Sequence, residues 1–226
     1  MRWLGALLLL CLALPVGAQS LPASFEAFYE VKKAGLLMAL ADRRFEQASL
    51  VYQSNFRTTG VAAMVAAEDV RETSWLQQSD GLRPTRYQKI RRGDISERIE
   101  QTFDWAKGEL RISINEQKKQ HSLDHLVLDQ ASFQLRLMQD LAKGERQFSY
   151  TIASDSRLKQ YSVTLLREET LQLAKVNYRT LVMFADDGKT QTTLWCAPEL
   201  GFVPIRIAYR EKGITFTANM VRYKAL

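Results

Sequence analysis

Residue alternation with a period of two runs through most of this chain, and an antiparallel sheet is the architecture that satisfies it. In the segment 95–105, Ile95, Ile99, Phe103 and Trp105 fall on one face, while Ser96, Arg98, Glu100, Thr102 and Asp104 fall on the other. Successive side chains of a strand point to opposite faces, so such a segment has one side to bury and one to wet. Lys107-Gly108 then turns the chain into Leu110, Ile112 and Ile114, which predicts a hairpin. The same alternation marks 25–31, 50–58, 70–76, 148–152, 161–165 and 176–184. Asp187-Gly188 leads the last of these into 190–195, and Lys212-Gly213 joins 203–209 to 214–221, so the C-terminal third reads as a meander.

Two segments depart from this pattern. From Asp129 to Gly144 the apolar residues Phe133, Leu137, Met138 and Leu141 recur at helical spacing, Asp129 or Ser132 can cap the start, and Gly144 fits just past the end. An isolated helix of this length is marginal in water, so its apolar stripe needs a surface to cover. The alanine-rich stretch 61–67 fits a short helix or a strand equally well. The expected fold is therefore all-β and mainly antiparallel: a strongly curved sheet or open barrel, with one covering helix near 130–143.

The chain begins with Arg2, an apolar run over 4–14, Pro15 and the small residues Val16-Gly17-Ala18 ahead of Gln19. This is the anatomy of a secretory signal peptide, and the apolar run is too short to span a bilayer. Cleavage after Ala18 leaves residues 19–226, a length suited to one domain with a sizeable core. No linker, repeat or low-complexity tract divides it. Removing Arg2 from 31 Lys+Arg leaves 30 against 25 Asp+Glu, a mild excess of about +5 that suits anionic surfaces. Only Cys196 remains after cleavage, which precludes an internal disulfide and reads as a small buried apolar residue.

The order of several short motifs resembles the domain-of-unknown-function 3108 family of exported envelope proteins. They are Tyr29-x-Val31, Gly81-Leu82-Arg83-Pro84-x-x-Tyr87 before a basic strand, Phe103-Asp104-Trp105 at a strand end, Asp129-x-x-Ser132 opening a helix with Gln134-Leu135, and Trp195 followed by Pro204-Ile205-Arg206-Ile207. The family pattern favours a proline shortly after the helix-opening aspartate, where this chain has Gln130. The resemblance implies a β-rich exported domain and brings no activity, cofactor or catalytic residue with it. At the level of fold it is similar to the half-barrels of lipoprotein carriers and lipocalins, and fold alone does not fix function.

Catalytic chemistry finds few parts. His121 and His125 are four residues apart in a stretch that reads as strand or turn, where they lie about 13 Å from each other, too far to share one metal ion. No serine sits in a nucleophile elbow and no glycine loop cradles phosphate, so neither an enzyme nor a cofactor is expected. The adjacent acids Glu168-Glu169 face opposite ways in a strand, and Asp186-Asp187-Gly188 is a sufficient turn. Two sets of residues point instead to binding. The aromatic residues Trp75, Tyr87, Phe103, Trp105 and Trp195 lie on several strands and, with Phe133, form a candidate lining for an apolar ligand. The basic stretch 83–98, above all Arg86, Lys89, Arg91 and Arg92, suits anionic lipid head groups or wall polymer, while charge on an edge strand also serves to prevent unwanted pairing. The expected function is a periplasmic binding or carrier domain for an apolar or amphipathic, lipid-like ligand. The alternative is an envelope-assembly protein that works through its surface with a filled core. Nucleic acid is not an expected partner, and an outer-membrane barrel fits poorly with an internal helix and heavily charged strands.

Cell fractionation checks the address: the processed protein, beginning at Gln19, is expected in the soluble periplasm with its thiol free. Recovery only in outer-membrane pellets after a carbonate wash would contradict it.

Overall fold

In the computed structural model, which describes residues 21–226, fifteen strands hydrogen-bond into one sheet. The signal-peptide assignment lies outside the described residues. The chain forms β1 (Phe25–Lys33), β2 (Leu36–Glu46), β3 (Val51–Thr58), a short helix α1 (Gly60–Val65), β4 (Glu68–Ser79), β5 (Gly81–Gly93), β6 (Glu97–Asp104), β7 (Glu109–Ile114), β8 (Gln117–Ser122) and β9 (Val127–Asp129). Then follow α2 (Ser132–Ala142), β10 (Gln147–Ser154), β11 (Arg157–Leu173), β12 (Val176–Asp186), β13 (Thr190–Ala197), β14 (Val203–Glu211) and β15 (Ile214–Ala225).

The spatial order is β8 to β1 in reverse, then β15 down to β9. The two meanders therefore join where β1 pairs with β15, and every pairing is antiparallel except β9 with β10. The sheet curves without closing into a barrel, leaving β8 and β9 as its edges. Its two halves still meet across the concave side: Gln101 on β6 donates to the Ala153 carbonyl on β10 at 3.2 Å, and Lys89 on β5 faces Asp155 at 3.8 Å.

Alternation accounts for most of these strands, and three were not legible in it. β2 hides its register because Ala39 and Ala41, on its inward face, are too small to mark a hydrophobic side, and the charged pair Arg43-Arg44 straddles both faces. β8 is polar throughout and β9 has three buried residues with no alternation at all. The segment that fits helix or strand is the helix α1, whose side chains include none that is buried.

Cross-strand register sorts the concave face into layers. Phe25, Phe45, Tyr52, Ser74, Tyr87, Gln101 and Ile112 follow one another across seven strands as a fully buried row. The next row runs Ala27, Arg43, Ser54, Glu72, Lys89 and Ile99 and is polar at its centre. The row beyond it, Tyr29, Ala41, Phe56 and Val70, is apolar again and leads to the rim.

Helix α2 lies inside this concavity, buried on more than one side. Leu135 and Met138 pack into the core under the N-terminal meander, while Leu137 and Leu141 pack into the core under β10 to β13. Its start is fixed by the Asp129-x-x-Ser132 motif. Asp129 Oδ1 accepts the backbone N–H groups of Ala131 at 2.8 Å and Ser132 at 2.7 Å, and Ser132 Oγ accepts the Asp129 N–H at 3.0 Å. This reciprocal exchange satisfies helix N-terminal donors that would otherwise be orphaned. Ser74 on β4 donates to Asp129 Oδ2 at 2.6 Å and so ties the cap to the facing sheet. Further along, Gln139 Oε1 accepts the Leu82 N–H at 2.9 Å, and Arg136 donates to the Asp80 carbonyl at 2.8 Å. The intervening Gly81 has a φ of +91°, a backbone conformation that favours glycine, and a Cβ there would displace the Arg136 guanidinium, which lies 2.3 Å from its position. The Gly81-Leu82-Arg83-Pro84 motif thus docks the β4–β5 turn on the helix.

Burial pushes the Asp129 carboxyl up to about 6, against the opposing pull of the hydrogen bonds from Ser74, Ser132 and Ala131. A group with a raised folded-state value holds its proton longer in the folded chain, so its contribution is complete below the unfolded value near 4 and is lost as pH rises toward about 6. Asp129→Asn retains an acceptor for the helix N–H groups and removes the titration. Melting curves from pH 4 to 7 should show the native protein losing about 3 kcal/mol relative to this variant over that window. Parallel profiles would show that the carboxyl does not titrate there.

Candidate functional site

Two hollows open from the concave face. The inner one, of about 320 Å³, lies between the polar row on β2 to β4 and the opposite wall on β11, β13 and β14, with the start of α2 as its floor. Arg43, Ser54, Glu72 and the Tyr52 hydroxyl line one side; Tyr161, Thr192, Leu194 and Ile207 line the other; Gln130, Phe133 and Gln134 come from the helix end. The Tyr87 hydroxyl donates to Glu72 at 2.5 Å, and the Arg43 guanidinium lies 5.6 Å from the centre of the Tyr29 ring. Tyr52 is 1% exposed and Gln134 4%, yet neither the Tyr52 hydroxyl nor either end of the Gln134 amide has a hydrogen-bond partner within the chain. Buried polar atoms are nearly always partnered, and an unmade bond costs about 1–3 kcal/mol, so two residues of this lining carry polar groups that the chain itself leaves unsatisfied. Burial pushes the Tyr52 hydroxyl up, and it also raises Tyr161 and Tyr209 to about 12, so all three present O–H groups at neutral pH.

The second hollow is a cleft of about 740 Å³ at the rim. Leu36, Leu37 and Met38 of β2, Phe56 of β3, Val61, Ala62 and Val65 of α1 and Phe216 of β15 make its walls almost wholly apolar. Several of these face solvent: Leu36 is 71% exposed, Val61 75% and Val65 80%. Tyr209 on β14 borders both the cleft and the inner cavity.

The residues expected to line a ligand site are dispersed. Phe133 borders the inner cavity, edge-on to Tyr150 with ring centres 5.5 Å apart. Tyr87 and Phe103 are buried in the core beside it. Trp75, Trp105 and Trp195 lie away from both hollows, each with an arginine over its ring: Arg86 at 4.9 Å, Arg83 at 4.7 Å and Arg206 at 5.6 Å respectively. The Trp105 indole also donates to the Pro84 carbonyl at 2.6 Å, joining two of the recurrent motifs. Tyr29 and Pro204 join two more, through a buried hydrogen bond of 2.9 Å.

The basic stretch divides between the two faces of β5, because its residues alternate. Lys89 and Arg91 share the inward face with Tyr87; Lys89 pairs with Glu97 at 3.4 Å, and Arg91 pairs with Glu68. Arg86 and Arg92 face outward, with Arg86 3.5 Å from Glu100. The four do not form one surface. His121 lies on β8 and His125 in the following loop, where its ring nitrogens meet Asp124 and the Thr151 hydroxyl. Cys196 is fully buried, and burial raises its thiol far above the range of a reactive thiolate. Among the described residues there is no group of three or more potential metal ligands and no helix long and apolar enough to cross a membrane.

Sequence reasoning missed Arg43, Tyr52 and Glu72 and the apolar rim, and it read Gln134 as part of the helix motif without placing it at a cavity. Arg43, Leu36 and Leu37 sit on β2, whose strand pattern was concealed, and Glu72 and Gln134 look like ordinary solvent-facing residues until the opposite half of the sheet covers them. A charge on the inward face of an alternating strand, as at Glu72 between Val70 and the buried Ser74, is the signal that could have found Glu72.

Comparison with known proteins bears on this architecture. The backbone is similar to the crystal structure of a β-barrel-like protein of domain of unknown function DUF1849 from Brucella abortus, with a TM-score of 0.64 at 10% identity, over 91% of this chain and 99% of that one. At that identity the likeness concerns fold alone. A match to the structure of MucB in complex with MucA(peri) covers 88% of each chain at 10% identity, but its TM-score of 0.17 is too low to bear on the fold. No curated protein matches the chain. The family described as "Protein of unknown function (DUF3108)" matches residues 25–219, which takes in the motifs from Tyr29 to Ile207, the helix cap and both hollows, and the chain belongs to that family.

Proposed function

We propose that this protein is a binding domain of the bacterial envelope that holds an amphipathic, lipid-like molecule by its acyl chain in the rim cleft. The observation that carries this reading is the cleft itself: about 740 Å³ of almost wholly apolar space whose wall residues, such as Leu36 and Val65, remain exposed. Contiguous exposed apolar surface is costly to keep and commonly marks a binding site. Each methylene transferred into it gains about 0.8 kcal/mol before the costs of association, so a chain of moderate length supplies useful affinity. The N-terminal segment led by Arg2 supports a periplasmic address for such a carrier. Arg86 and Arg92, on the outward face of β5, are the part of the basic stretch open to an anionic envelope surface.

A second reading rests on α1, which buries none of its residues and exposes Val61, Met64 and Val65. The same rim would suit a protein partner.

Uptake of a fluorescent fatty acid by delipidated protein separates the two. The native protein should bind the probe, and Leu37→Gln combined with Val65→Asp should weaken binding about tenfold while the melting temperature stays within a few degrees, since both side chains are exposed. A folded, delipidated protein that ignores the probe, yet retains an envelope protein on affinity capture that the double variant loses, would favour the partner reading and exclude the carrier.

A further inference from the structure

The inner cavity is a poor place for an acyl chain and a good one for charge. Arg43 and Glu72 sit on the same cross-strand row, two strands apart, with Ser54 between them. Neighbouring strands are about 4.8 Å apart, so their backbones are separated by roughly 10 Å on one inward-facing line. Arg44, Arg71, Arg91, Arg98 and Arg136 each meet a carboxylate, whereas among the described residues Arg57, Arg92, Arg210 and Arg222 make no such pair. Among the described residues, Arg43 and Glu72 have no ion-pair partner, and they do not pair with each other although they line one cavity. Opposite charges half-buried on one wall and left apart leave room for an occupant that carries both signs.

The unpartnered atoms agree. Tyr52 and Gln134, whose buried hydroxyl and amide have no hydrogen-bond partner within the chain, line the same cavity as Arg43 and Glu72. A guanidinium, a carboxylate, a hydroxyl and an amide around one cavity are groups able to bond an occupant of either sign. Tyr209 borders both this cavity and the rim cleft, which places the two hollows side by side.

We propose that the inner cavity is a head-group site for a zwitterionic, single-chain amphiphile, with its phosphate against Arg43 and its primary ammonium against Glu72. The assignment rests on the reading of the rim cleft as an acyl-chain site, and it orients the ligand: the polar head lies deep on the polar row and the chain runs outward over Phe56 to the apolar rim. The order is set by the layering of the concave face, in which the charged row lies between the buried core and the apolar mouth.

The test is titration of the delipidated full-length protein with lysophosphatidylethanolamine, with lysophosphatidylglycerol of the same chain, and with glycerophosphoethanolamine, which has the head and no chain. Lysophosphatidylethanolamine should bind about tenfold or more tightly than lysophosphatidylglycerol, which lacks the ammonium. Glu72→Gln keeps an acceptor for the Tyr87 hydroxyl and should abolish that preference by weakening lysophosphatidylethanolamine, with lysophosphatidylglycerol bound no more weakly than by the native protein. Arg43→Gln should weaken both lipids by a similar factor. Melting temperatures near that of the native protein confirm that the variants are folded. Equal binding of the two lipids, with Glu72→Gln indistinguishable from the native protein, would overturn the head-group site and leave the rim cleft standing. Glycerophosphoethanolamine binding as tightly as the lysolipid would identify a soluble phosphoamine as the ligand and overturn the joint assignment. Failure of every amphiphile, the fluorescent fatty acid included, would remove the rim cleft and the head-group site together.

Discussion

Everything on the concave side of this sheet depends on helix α2 being capped and gripped by the strands it faces. Because β8 and β9 do not pair, the halves of this curved sheet touch directly at few points, such as Gln101 with Ala153. The helix adds the apolar bridge between them: Leu135 and Met138 enter one core, Leu137 and Leu141 the other. Asp129 fixes where it starts and Ser74 fixes which part of the sheet the start touches. With those bonds in place, the β4–β5 turn is held at Gln139 and Arg136, and the helix end that floors the inner cavity has one position. Because the carboxylate of Asp129 is wholly buried, the arrangement relies on complete hydrogen bonding, and loss of one partner would leave a costly orphan.

The open architecture raises the problem of exposed edges, which can recruit further strands. The two edges are handled differently. β8 is polar, largely solvent-exposed and carries Lys118 and Lys119, charges that discourage pairing. β9 is only three residues long, fully buried, and lies under the bond from Gln101 to Ala153 that links β6 with β10. A barrel would have removed both edges at the cost of closing the concavity. Leaving it open preserves the layered face on which a buried row, a charged row and an apolar rim follow one another outward.

That layering is what makes the two hollows different in character. Near the rim, β2, β3 and β15 present apolar side chains and α1 adds more without burying any of its own, so the cleft is wide and apolar. Deeper, the helix and the opposite wall narrow the space, and the row containing Arg43 and Glu72 sets its polarity. The three tryptophans, which look in sequence like the natural lining of an apolar site, are instead each covered by an arginine away from both hollows.

Period-two alternation, turn pairs such as Lys107-Gly108 and Asp187-Gly188, and the helix-opening Asp129-x-x-Ser132 were sufficient to determine an antiparallel β domain with one long helix, because each is a local preference that the neighbouring few residues settle. The motif order was likewise sufficient to indicate the family that the match over 25–219 establishes. Sequence alone also carried the burial of Cys196, since a small apolar position on the inward face of a strand has little choice. What it did not carry is anything that depends on which strands come to face each other. Arg86 and Lys89 read as one basic stretch along the chain, yet alternation sends them to opposite faces. Glu72 and Gln134 read as solvent-facing, yet the curvature of the sheet and the seat of α2 bring them to one cavity. β2 shows no clear periodicity because small Ala39 and Ala41 stand where a large apolar residue would have marked the core side. Local propensity determines elements; the sign and depth of a binding face arise only when long-range register lines residues up across strands, and that alignment is a property of the folded sheet.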